Sequence, residues 1–109
     1  MTSWKLKRIS QCEKCPWRVD TNPHEIPNGY DEKKHKALSC TIADPENPLE
    51  PTSNMACHET GGAHCIGWVH NQIGRGNNIG LRIKMMTCEN IGKIKLLGDQ
   101  HENFEDTLP

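Results

Sequence analysis

A small, irregular α+β domain with two to three short helices and little sheet is the fold this sequence predicts, spanning residues 1–109 as one unit. Three observations predict it. The chain has 109 residues of which 34% are apolar, with one Phe, one Tyr and three Trp, so a large hydrophobic core is not available. A chain this short buries a modest share of its surface and commonly needs a staple. Six cysteines and six histidines supply the chemistry for one. The same composition excludes a membrane span, because no stretch approaches the roughly 20 apolar residues that one requires.

Residues 1–11 read as an extended or loosely ordered lead-in. Their opening, Met-Thr-Ser-Trp-Lys-Leu-Lys-Arg, lacks the apolar core of a secretory signal. The expectation is a cytoplasmic protein whose thiols stay reduced, so the cysteines point to metal ligation rather than to a disulfide framework. Cys12-Glu13-Lys14-Cys15-Pro16 is a CxxC turn closed by proline. A helix is expected from about 31 to 43, started by Asn28 or Asp31, with Leu38 and Ile42 on one face. Residues 44–54 hold three prolines and must be a loop.

A short strand over 55–57 leads into a second ligand group. A helix from about 65 to 73 carries Ile66, Val69 and Ile73 on one stripe, and Gly74 ends it as a C′ glycine. Beyond the turn at 74–78, periodicity fits either a strand (Ile79, Leu81, Ile83, Met85) or a helix whose apolar stripe is Ile79, Ile83 and Met86. A cap at Asn77 or Asn78 favours the helix. A short element over 90–97 and an acidic tail over 99–109 complete the chain.

The spacing of four cysteines carries the chemistry. Cys12 and Cys15 on one turn, with Cys57 and Cys65 on another, can surround one ion at about 2.3 Å in tetrahedral geometry. Zn2+ suits such a thiolate set, which makes the expected fold zinc-stabilised; iron or an iron–sulfur cluster is the alternative. Four thiolates leave no open position, so the site would be structural. His58, beside Cys57, is the alternative ligand and His64 a third candidate, whereas Cys40 and Cys88 read as buried thiols without metal. Trp17 and Trp68 are expected in the core beside the ion.

Catalytic patterns fail one by one. His58-Glu59-Thr60 breaks the H-x-E of zinc deaminases, and Gly62 stands where H-E-x-x-H needs its second histidine. The glycines at 74, 76 and 80 lack the Lys-Ser/Thr of a phosphate loop. His70-Asn71 has no companion hairpin of a nuclease. A metal-dependent hydrolase using His58 and Glu59 stays as an alternative that needs an open coordination position.

Net charge is -1, so no global nucleic-acid signature exists. The distribution is uneven: residues 66–97 carry Arg75, Arg82, Lys84, Lys93 and Lys95 against Glu89 alone, and the tail is acidic. Exposed Arg75, Asn77, Asn78, Arg82 and Lys84 form the expected contact face for an acidic partner. Direct binding of nucleic acid through the basic 75–95 stretch is the alternative, with a steep salt dependence.

Several segments together carry a resemblance: Cys12-Glu13-Lys14-Cys15-Pro16-Trp17-Arg18, Met55-Ala56-Cys57-His58-Glu59, Cys65-Ile66-Gly67-Trp68, Asn77-Asn78-Ile79-Gly80-Leu81-Arg82 and Phe104-Glu105-Asp106-Thr107-Leu108-Pro109. The chain resembles a family of small cysteine-rich proteins of bacteria, phages and prophages whose function is not defined. The resemblance covers most of the chain. It implies metal binding through Cys12, Cys15, Cys57 and Cys65, with His58 nearby and without Cys40. It implies a phage or mobile-element setting and no reaction. The function expected is a non-enzymatic, zinc-structured binding module for a host protein or nucleoprotein complex in the host cytoplasm.

Overall fold

Asp31 begins the first helix: its carboxylate accepts from the backbone N–H groups of Lys33 and Lys34 at 2.9 and 3.3 Å, satisfying two donors that a helix start leaves open. The computed structural model describes residues 3–26, 30–44, 46–47, 50, 52–57 and 62–108. Asn28, His58, Glu59 and the three prolines of the 44–54 segment lie outside them. Among the described residues there are three α-helices, α1 (Glu32–Ala37), α2 (Ile66–Ile73) and α3 (Ile79–Met85). Four 3-10 turns join them, and extended pairing is limited to isolated bridges. A radius of gyration of 13.3 Å is that of a compact globule of this length.

The helix expected over 31–43 is shorter, because α1 tightens into a 3-10 turn at Leu38–Thr41. The Thr41 hydroxyl donates to the Leu38 carbonyl at 2.7 Å. The Thr41 carbonyl accepts from Trp68 Nε1 at 2.9 Å, and the Ala43 N–H donates to Gln72 Oε1 at 2.9 Å. Core side chains thus take the backbone groups that a longer helix would use. Gly74 does end α2, but with φ of -101° rather than in the left-handed region expected of a C′ glycine. The left-handed residue is Asn77, at φ of 45°.

From Trp4 onward the lead-in is pinned at several points. Trp4 bridges Cys88 and Ser10 bridges Lys95 in parallel, while Arg18 bridges Gln100 in antiparallel fashion. Between the first two bridges the Asn90 side chain stands in for a strand. Its oxygen accepts from the Leu6 N–H at 2.8 Å and its amide donates to the Leu6 carbonyl at 3.0 Å. The two ends of the chain are thereby laced together without forming a sheet.

The acidic tail is likewise packed. Phe104 and Thr107 are buried in a 3-10 turn, with Phe104 against Trp17 and His35. His35 is only 5% exposed. Thr107 gives its hydroxyl proton to the Phe104 carbonyl, so its oxygen accepts from His35 Nε2 at 3.1 Å. Nδ1 then accepts from the Tyr30 hydroxyl at 2.8 Å. Both nitrogens of a neutral ring are satisfied, and burial pushes the ring's pKa down, against an opposing pull from Glu32. Below the unfolded value of about 6.5 the unfolded chain binds the extra proton, so this contribution is full above that pH and is lost as pH falls. The urea midpoint is expected to fall between pH 7.5 and 6.0, and the fall to be smaller in His35→Gln. Equal slopes in the two proteins would contradict this role.

Candidate metal centre

Two turns meet at the centre of the molecule. In the first, the Cys15 N–H donates to the Cys12 carbonyl at 3.2 Å and the Arg18 N–H to the Cys15 carbonyl at 3.1 Å. Pro16 fixes the backbone between them. Arg18 braces this knuckle: its guanidinium donates to the carbonyls of Leu97 (2.9 Å) and Glu13 and to the Asp20 carboxylate. In the second turn, the Cys57 N–H donates to the Ala63 carbonyl at 2.8 Å and the Cys65 N–H to the Met55 carbonyl at 2.9 Å. The Ala56–His64 bridge completes this short antiparallel pair, the strand expected over 55–57 reduced to a single bridge.

Side chains alternate between faces at such a bridge. Met55, Cys57, Ala63 and Cys65 share the inner face and are all buried. Ala56 and His64 take the other. The His64 ring stacks on Trp68 with planes 11° apart and lies 5.9 Å from Trp4, and burial pushes its pKa down with Lys84 acting the same way. The structure thus places the His64 ring in a packing contact with Trp4 and Trp68, on the face of the bridge opposite Cys57 and Cys65.

Cys15 is the hub, at 0% exposure. Hydrogen bonding from Cys12, then from Cys65, holds its thiol far below the ordinary range, down to about 3, with help from the Gln11 side chain and the Trp17 backbone N–H and against burial. Cys65 moves the other way, raised by its bond to Cys15 and by burial, with the Trp68 backbone amide opposing. Hydrogen bonding between the two thus favours the thiolate at Cys15 and the thiol at Cys65. The structure brings Cys12, Cys15 and Cys65 together and places Cys57 on the same inner face, diagonal to Cys65.

The chemistry of this donor set can be tested against an ion. Two thiolates bound at about 2.3 Å in tetrahedral geometry stand roughly 3.8 Å apart. Cys15 Sγ and Cys65 Sγ are 3.7 Å apart, far beyond the roughly 2.05 Å of a disulfide, and all six cysteines are free. The pair fits zinc without moving, and the same spacing suits a thiol donating to a thiolate. Among the described residues, which include Cys12, Cys15, Cys57 and Cys65, no group of three or more His, Cys, Asp or Glu side chains is placed to hold a metal ion; His58 lies outside those residues.

The remaining candidates divide. Cys88 is buried, as expected, and donates to Asn90 Oδ1 at 3.3 Å, but Cys40 is exposed on the 3-10 turn after α1 rather than buried. Trp17 and Trp68 are both in the core. On the expected contact face, Arg75, Asn77, Arg82 and Lys84 are exposed. Arg75 pairs with Glu102 of the acidic tail at 3.8 Å, and Arg82 donates to Asn77 Oδ1 at 2.7 Å. Asn78 is a correction, being 2% exposed. Its oxygen caps α3 by accepting from the Leu81 N–H at 3.1 Å, and its amide donates to Thr52 Oγ1 and Gln72 Oε1. A residue bonded on every side in the interior has nothing to offer a partner.

Sequence reasoning missed two participants. Gln11 is buried beside Cys15 and pairs reciprocally with Gln100, at 2.6 and 2.8 Å. Its only signal was a polar residue next to a candidate ligand cysteine. The outer face of α3 was the other, because its stripe reads as core in the sequence. No family model, no curated protein and no solved structure matches the chain. Among the described residues no helix is long and apolar enough to cross a membrane.

Proposed function

We propose that this chain is a non-enzymatic binding module whose fold is set by one structural Zn2+ held by Cys12, Cys15, Cys57 and Cys65. The observation that carries the reading is the 3.7 Å separation of Cys15 and Cys65 on two different turns. Cys12 and Cys15 come from the knuckle, and Cys57 and Cys65 from the 55–65 turn, so the ion ties the lead-in to α2. When bound it supplies cross-linking, and much of the folding free energy of such domains comes from that. Arg18, Gln11 and the Trp17 and Trp68 amides hold the sulfurs in place. With four thiolates no position is left for water or substrate, which sets this reading against the hydrolase using His58 and Glu59. As in the phage or mobile-element setting, the partner is a host protein or a nucleoprotein complex.

Cobalt substitution tests the reading. Co2+ replacing the native ion is expected to give the intense sulfur charge-transfer bands and strong visible bands of a closed tetrahedral thiolate site. Weak visible bands that change on adding azide would mean an open position and would favour the hydrolase.

A further inference from the structure

The outer face of α3 is apolar, and the inner face is too. Leu81 and Met85 point into the core, while Ile83 and Met86 are 60% and 79% exposed. With the half-buried Ile79 they form a second stripe at i, i+4 and i+7. Together with Arg82 they line a hollow of about 230 Å3. These four residues stand at i, i+3, i+4 and i+7, the diamond that receives one side chain of a facing helix when two helices interlock. At 3.6 residues per turn Arg82 flanks the stripe directly, whereas Lys84 lies beyond Gly80, more than a quarter turn away, and lines a separate hollow with Leu81.

We propose that this face docks one helix of a partner protein, amphipathic, with an aliphatic side chain entering the hollow and carboxylates on the flank that meets Arg82. Charge complementarity selects that occupant. Helix α3 contains no acid, and among the described residues no carboxylate pairs with Arg82 or Lys84. Arg82 is held in place by a neutral acceptor, Asn77, and Lys84 lies 5.3 Å above the Trp4 ring, so both charges are positioned without being neutralised. A second copy packed on the same face by two-fold symmetry would set these cations against their own counterparts. A phosphate backbone would leave three large apolar side chains without a partner.

The proposal deepens the binding-module reading and rests on it, but the face does not itself touch the ion. A displayed library of helical peptides with a fixed leucine stripe and flanks drawn from Glu, Lys and Gln is the probe, applied to full-length protein of measured zinc content. Glu-flanked helices are expected to be enriched over Lys-flanked ones by roughly tenfold or more. The enrichment is expected to vanish with Ile83→Asp, whose folding is checked by circular dichroism, and to shift toward Lys with Arg82→Glu. No enriched helix, no flank preference, or enrichment that survives Ile83→Asp overturns the proposal. So does co-sedimentation with phosphatidylglycerol vesicles, or a dimer in sedimentation equilibrium, that Ile83→Asp abolishes. A metal-free chain that still selects Glu-flanked helices sinks the zinc reading alone; a zinc-loaded chain that selects none sinks this surface alone.

Discussion

Cys15→Ser is expected to lose its zinc and most of its helical signal at ambient temperature. Cys15 is buried and central to Cys12 and Cys65, whose hydrogen bonds hold its thiol far below the ordinary range. Structural zinc sites contribute about 10–16 kcal/mol in small domains, and one ligand in four accounts for about 3–4 kcal/mol of it, a loss of several hundredfold in affinity. A domain of this size has only about 5–15 kcal/mol in total. Serine keeps the shape and removes the soft donor, so the loss reads coordination rather than packing. Cys40→Ser, at an exposed thiol, is expected to change neither zinc content nor thermal midpoint. If Cys15→Ser keeps one zinc per chain and a normal midpoint, Cys15 is not a ligand.

Gly67→Ala is expected to lower the thermal midpoint by about 10 °C or more, although alanine in a helix normally gains about 1 kcal/mol over glycine. A Cβ at Gly67 would lie 2.6 Å from Trp17 Cβ and 2.9 Å from both Cys15 Sγ and Gln11 Nε2. Trp17 Cβ is next to backbone and Cys15 Sγ is held in the cluster, so neither yields cheaply. Overpacking of this kind costs about 3 kcal/mol at the upper end of its usual range, which exceeds the helix gain. The clash also pushes Cys15 away from Cys65, so zinc affinity should fall with stability. Gly92→Ala is the control, because a Cβ there meets nothing within 4 Å. A Gly67→Ala protein as stable as its parent would mean that α2 and the knuckle are not in this contact.

Local patterns in the sequence predict local structure well. The CxxC turn at 12–15, the helix at 66–73 and the capped helix at 79–85 all lie where composition and capping put them. The phase of α3 does not follow from its own residues. Two stripes compete, Ile79/Ile83/Met86 and Leu81/Met85, and the longer one reads as core. The shorter one turns inward because Asn78 is anchored in the Gln72–Thr52 polar network, and that anchor depends on residues six and 26 positions away. The lead-in reads as loose, and the packing of the acidic tail does not show in the sequence, for the same reason: their partners, such as Asn90 for Leu6 and His35 for Thr107, lie 84 and 72 residues distant. Cys40 was expected inside because cysteine is commonly buried, yet the early end of α1 leaves it on the surface. Of the candidate site, the cysteine spacing was readable, whereas the central place of Cys15 and its support by Gln11 emerge only when the two turns meet.

Elemental analysis of protein purified without added metal or a nickel column, read beside its visible spectrum, tests the central claim most directly. About one zinc per chain and no colour is the result expected of a closed thiolate site. A folded chain carrying no metal would contradict the account, and iron with visible charge-transfer bands would replace its structural ion with a redox centre.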